Sequence, residues 1–142
     1  CEPLREHALR EYGNERHWGY TEEDALRYFL ANLEILGSPI ESIVIRPHPS
    51  EDPGKYDWVR EVYDLPVFSG GAMTLFEEVA ASDVVIGCES MAMVVGLLAC
   101  RRVISCIPPG GKPCALPQPE IESMQQLLIG KNKKFSMNLS DE

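Results

Sequence analysis

Neither of the common glycine-rich phosphate loops is present: the chain has no GxGxxG and no GxxxxGK[ST], which disfavours ordinary dinucleotide binding and P-loop ATP binding. Basic residues are scarce, with 13 Lys and Arg against 22 Asp and Glu and a net charge of -9, so nucleic acid is not an expected partner. The acidic excess reads as a solvated surface. The five cysteines form no CxxC pair and have no histidines at metal-ligand spacing. Buried structural thiols in a reducing compartment fit that pattern better than a zinc site or a disulfide framework. No carboxylate pair stands out as a metal site, and no cofactor is expected. The longest apolar stretch, Met91 to Cys100, is too short to span a bilayer, and no charged-then-apolar signal segment precedes it. A soluble, cytoplasmic protein is the expectation. With no initiator Met, the chain is expected to be part of something longer or processed.

What the chain does hold is one ordinary core, with 142 residues of which 44% are hydrophobic and 25% charged. A single α/β domain over 1–142 follows, with a polar tail over 131–142. Its organising stretch is Asp83 to Pro108. This reads as a buried strand (Val84 to Ile86), a tight turn (Gly87 to Glu89), a helix from Ser90, and a second strand (Arg102 to Cys106) closed by Pro108-Pro109-Gly110-Gly111. Two short apolar runs with a helix between them predict a parallel β-α-β unit. Further strands are predicted at Ser42 to Arg46 and Pro66 to Ser69. Helices are predicted from Thr21 as N-cap to Leu36 with Gly37 as the stop, through Trp58 and Val59, after a Thr74/Glu77 capping box, and from Met124 to Ile129 under a Ser123 cap. Cys1 to Tyr20 shows no clear period and reads as a long loop. Strands alternating with helices predict a doubly wound, Rossmann-like parallel sheet with helices on both faces.

In such a sheet ligands bind at the carboxyl ends of the strands, so the residues just past those ends are the candidates. His48 lies past the Ser42 to Arg46 strand, between Pro47 and Pro49. It can donate to a phosphate oxygen or exchange a proton near neutral pH; the bland alternative is a histidine that caps the strand. Arg46 reads equally as an anion ligand or as half of an internal salt bridge. Ser90 opens its helix, where free N–H groups and the dipole favour phosphate, although Ser is also a plain N-cap. Glu89 reads as an acceptor for a sugar hydroxyl or as a complement to the dipole. Cys88 lies at the same helix start, where a thiol pKa would fall, but the sequence places no obvious His or Asn for nucleophilic work. Met91 and Met93 read as core by their apolar setting, and Met91 is also counted with the substrate-binding residues beside Ser90.

The ordered set IRPHPSE (Ile45 to Glu51), SDVVIGCESMAM (Ser82 to Met93) and RRVISCIPPGG (Arg101 to Gly111), with GYTE (Gly19 to Glu22) ahead of it, resembles the C-terminal donor-binding half of GT-B glycosyltransferases. The likeness is to bacterial surface-carbohydrate and sialyltransferase-like enzymes with an RpHP motif and a later Ser motif. The resemblance implies a nucleotide-sugar donor, CMP-, UDP- or GDP-linked, bound without a metal. It implies His48 as the catalytic histidine at the leaving phosphate and Ser90 as a phosphate ligand, with Arg46, Ser50 and Glu89 as second candidates. It further implies an N-terminal domain elsewhere that supplies the acceptor and catalytic base, and peripheral membrane association through the full-length protein. Many relatives carry a Glu-Ala pair about five residues after the Ser, with the Glu on the donor ribose; this chain has Val95-Gly96. Two other readings stand beside this one: half of a UDP-N-acetylhexosamine 2-epimerase-like enzyme, and a non-catalytic α/β interaction module.

Overall fold

The structure, a computed structural model, describes residues 3–52 and 54–131. It opens with a helix, α1 (Leu4–Tyr12), where the sequence predicts a loop. Leu, Ala, Glu and Arg are strong helix formers and fill these positions, but only Ala8 is buried, so no broad apolar stripe betrays the helix in the sequence. α2 (Glu22–Leu30) starts under a complete capping box: the Thr21 hydroxyl accepts from the Asp24 N–H at 3.2 Å, and the Asp24 carboxylate accepts from the Thr21 N–H at 2.9 Å. The helix ends six residues before its predicted last residue, at Leu30 rather than Leu36. The Asn32 side chain donates to the Tyr28 carbonyl at 2.8 Å, and Leu33–Leu36 tightens into a 3-10 turn before Gly37.

The four predicted strands form, each shifted by a residue at most: β1 (Ile43–Ile45), β2 (Val67–Ser69), β3 (Val84–Gly87) and β4 (Arg102–Ser105). Between them lie α3 (Trp58–Val62), α4 (Leu75–Ala80) and α5 (Met91–Leu98). Thr74 caps α4 by accepting from the Glu77 N–H at 3.2 Å. A further short strand, β5 (Glu122–Ser123), takes in the predicted cap Ser123, and helix α6 (124–131) follows it. All strand pairs are parallel. They form two small sheets, β1-β2 and β3-β4-β5, with Val44 opposite Phe68 and Val85 opposite Val103. The fold is therefore mixed α/β with parallel strands. Residues 132–142, the bulk of the predicted tail, and Cys1 lie outside the described residues.

One apolar cluster joins the two sheets: Ile45 and Val67 from the first meet Ile104, Cys106 and Ile107 from the end of the second, with Phe29, Leu30, Val59 and Met124 packed among them. A second cluster holds Val79, Val85, Met93 and Val103. Adjacent β4 residues thus enter different clusters, Val103 the second and Ile104 the first, as the alternation of side chains along a strand requires. The two methionines separate here. Met93 is fully buried, whereas Met91 is 68% exposed and is not core. Cys106 is buried, Cys88 and Cys114 are half-buried and Cys100 is exposed; none of these four is in a disulfide. Among the described residues no helix is long and apolar enough to cross a membrane.

α5 lies on β3 and β4 because Gly96 lets it. A Cβ there would fall 2.8 Å from Val103 Cγ2 and 3.1 Å from Val85 Cγ2. In an open helix Gly→Ala stabilises by about 1 kcal/mol. Here Gly96→Ala is expected to destabilise by about 1–3 kcal/mol through overpacking. Urea unfolding of the variant against the parent measures the sign, and a gain in stability would contradict the close approach.

Candidate functional site

His48-Pro49-Ser50-Glu51 is a β-turn past the end of β1, closed by the Glu51 N–H donating to the His48 carbonyl at 2.9 Å, with proline at the second position. Two side chains reinforce it. The Glu51 carboxylate accepts from the His48 N–H at 2.8 Å, and His48 Nδ1 accepts from the Ser50 N–H at 3.1 Å, with Ser50 Oγ 2.7 Å from the same nitrogen. This is the reciprocal pattern of a capping box, with the imidazole in the place of a Ser or Thr hydroxyl. A backbone N–H can only donate, so Nδ1 is the acceptor and the proton of the neutral ring lies on Nε2. The His48 side chain is exposed, and the turn therefore presents an Nε2–H donor.

The turn is fastened from beneath by a buried ionic network. The Glu51 side chain is 1% exposed and the Glu22 side chain 4%, while Lys55 between them is 23% exposed. Glu51 Oε2 accepts from Lys55 Nζ at 2.7 Å and from the Tyr56 hydroxyl at 2.6 Å. Lys55 also pairs with Glu22, whose other oxygen accepts from the Arg5 N–H of α1 at 2.9 Å. Burial on its own would push the Glu51 carboxyl up, but bonds from Lys55, Tyr56 and the His48 N–H outweigh it and hold Glu51 below its ordinary value. Burial likewise works to lower Lys55, and its bonds to Glu22 and Glu51 reverse that and raise it. The Tyr56 hydroxyl is pushed far up, first by burial and then by the bond to Glu51. Glu51 and Lys55 are thus both held in their charged forms near neutral pH.

Residues 19–22 join this turn to the loops on the other sheet. Glu22 meets the network from one side. On the other, Gly19 adopts φ 85° against the loop after β4, where a Cβ would overlap the Gly110 carbonyl oxygen. Glycine is needed there for both reasons. A Cβ on Gly111 would lie 2.7 Å from the Tyr20 ring, and the Lys112 N–H donates to the Trp18 carbonyl at 2.9 Å. The loop after β4 is in turn held to the end of β3 by Cys106 N–H to the Gly87 carbonyl at 2.9 Å and by Ser105 Oγ to the Cys88 carbonyl at 3.2 Å. Ser90 follows as the N-cap of α5, and its hydroxyl makes no cap bond to that helix. A chain of contacts therefore runs from the His48 turn through residues 19–22 to the Ser90 helix start.

The other sequence candidates have structural work. Arg46 donates to the Met73 carbonyl at 3.1 Å and pairs with Glu78 at 3.0 Å, so an internal salt bridge is present at this strand end. Burial pushes the Glu78 carboxyl up, but the Gly71 N–H and Arg46 together hold it below its usual range. Ser50 orients His48. Glu89 accepts from the Ala115 N–H at 2.6 Å and fixes the loop after β4. Met91 stands exposed beside Ser90. Val95 packs against the second apolar cluster, and a ribose-binding carboxylate has no counterpart at that position. Glu22, Glu51, Lys55 and Tyr56 are absent from the sequence candidates. Two spacings pointed to them: Glu51 is three residues after His48, as in a capping box, and four before Lys55. Among the described residues no group of three His, Cys, Asp or Glu is placed to hold a metal ion. One concavity of about 10 Å³ is lined by Pro47, Tyr56 and Ser69 beside the turn, and another of about 290 Å³ lies against Val94, Leu97 and Leu98 of α5.

No protein-family model, curated protein or solved structure matches the chain.

Removing the lysine while keeping its stem strands two buried carboxylates. Lys55→Met is expected to destabilise by about 3 kcal/mol, the low end for breaking a buried pair because Lys55 retains some water. Acid should act on the same network. Glu51 is depressed, so its contribution is complete above its ordinary value of 4.5 and is lost as pH falls through its lower folded value. Lys55 is raised, so its contribution is complete below its ordinary 10.5 and is lost as pH rises through its higher folded value. Urea midpoints measured from pH 7 down to pH 3 should fall less steeply in Glu51→Gln than in the parent; parallel curves would remove the network from the account.

Proposed function

We propose that this chain is the nucleotide-sugar-binding domain of a metal-independent glycosyltransferase that acts on the cytoplasmic side in surface-polysaccharide or glycolipid assembly. The doubly wound half of a GT-B architecture is part of the same proposal. The observation that carries it is the pairing of two donors on one chain of contacts: the Nε2–H of the exposed His48 and the hydroxyl of Ser90, which makes no cap bond to α5. In this reading His48 Nε2–H donates to an oxygen of the leaving phosphate. Ser90 and the first N–H groups of α5 hold the same diphosphate or its neighbour, aided by the positive end of the helix dipole. Charge grows on those oxygens as the sugar–oxygen bond breaks, and fixed donors aimed at them stabilise the transition state more than the ground state. The acceptor and its base come from a second domain.

Within this proposal the sequence candidates divide. His48 and Ser90 touch the donor, Met91 offers an exposed apolar surface beside it, and Ser50, Glu89 and Arg46 hold the loops. Val95, packed against the core, favours one second reading, a non-catalytic α/β module that has lost ribose recognition.

Calorimetric titration of the chain with CMP, CDP, UDP and GDP separates the two. The expectation is binding of one nucleotide, weakened about tenfold or more by His48→Ala and by Ser90→Ala, the effect of losing one hydrogen bond to a charged group. No binding by any of the four to the folded chain would favour the module.

A further inference from the structure

The Glu51 carboxylate has its two oxygens directed to different tasks. Oε2 faces inward to Lys55 and Tyr56, and Oε1 faces the turn, where it takes the His48 N–H at 2.8 Å. Both oxygens are buried and both are bonded, and the bond at Oε1 closes the same four-residue turn that brings the Ser50 N–H onto His48 Nδ1. Pro47 and Pro49 on either side of His48 remove two backbone donors and narrow the backbone's freedom, so the His48 N–H is the donor by which the interior can grip this turn. A buried group that is itself rigidly held makes a precise anchor for an exposed one.

We propose that Glu51 is the positioning residue of the site: from the interior it clamps the His48 backbone so that Ser50 holds Nδ1 as an acceptor and the Nε2–H points outward. This rests on the phosphate-site reading only for its use, because the clamp exists without a ligand. Lys55 extends the clamp to residues 19–22, since the same ammonium holds Glu22. Glu51 touches no substrate and acts through His48.

Nitrogen-15 correlation spectra of the His48 ring in the full chain, taken at about pH 8, above the ordinary histidine range, read the tautomer directly. The parent is expected to show an unprotonated Nδ1 and a protonated Nε2. Glu51→Asp keeps the charge for Lys55 but is a methylene too short to reach the His48 N–H as well. It is expected to give mixed tautomers and about tenfold weaker binding of inorganic phosphate, the effect of one misplaced donor. Tyr56→Phe removes a bond to the inward oxygen of the same carboxylate and is expected to lose stability with the His48 pattern unchanged. Amide exchange in the parent supplies a test that needs no variant: the His48 N–H should exchange at least about tenfold more slowly than an open amide despite its exposed side chain. A parent-like tautomer in folded Glu51→Asp, an equal change in Tyr56→Phe, or an unprotected His48 amide would overturn the proposal. A parent chain that binds no phosphate yet shows the expected tautomers and protection removes the donor-site reading and supports the clamp.

Discussion

One ammonium group shared by two buried carboxylates ties the start of α2 to the turn after β1. Lys55 meets Glu22, at the start of α2, and Glu51, at the end of the His48 turn. Each carboxylate then carries a backbone N–H of its own, from Arg5 of α1 and from His48. Ionised groups this deep are stable only when all their bonding capacity is used. The requirement works in reverse as a constraint on shape: α1, residues 19–22 and the turn after β1 are confined to positions where those bonds close. Hydrophobic packing brings the sheets together, and the network ties α1, the start of α2 and the His48 turn to one another.

The consequence for chemistry lies in what the network leaves free. The Glu51 carboxylate is taken up by Lys55, Tyr56 and the His48 N–H, Nδ1 of the ring by Ser50 of the same turn, while Arg46 pairs with Glu78 and Glu89 accepts from the Ala115 N–H. The His48 Nε2–H and the Ser90 hydroxyl, which makes no cap bond to α5, are donors of the kind that phosphate oxygens accept. Gly19 and Gly111 bring the loop after β4 against residues 19–22 with almost no side-chain bulk between. Through these contacts the His48 turn and the start of α5 belong to one connected set of loops.

The four longer strands and the parallel class were legible in the sequence because each of those strands is a short, largely apolar run bounded by Gly, Pro or charge. α1 was not, because with Ala8 alone buried its helical character rests on propensity rather than on periodicity. β5 was not, because Glu122 and Ser123 have no apolar content and are strand only by pairing with Ile104 and Ser105. His48 and Ser90 stood out by their places after strand ends. Glu51 did not, because the capping-box rule is written for Ser or Thr at its first position and here a histidine ring plays that part. Arg46 shows the converse limit: a cation at a strand end looks the same in sequence whether its carboxylate partner is a ligand or Glu78 across 32 residues of chain. Burial turns such ambiguous charges into assigned ones, and burial is a property of the fold.

A double-mutant cycle between Glu22 and Glu51, each changed to Gln and both together, tests most directly whether one lysine makes these segments a unit. The two carboxylates lie 29 positions apart in the chain and share Lys55. The account predicts a coupling of about 1 kcal/mol or more in unfolding free energy, because once either carboxylate is neutral the lysine's hold on the other changes. Strict additivity, within about 0.3–0.5 kcal/mol, would contradict it and return the two segments to independent parts of the surface.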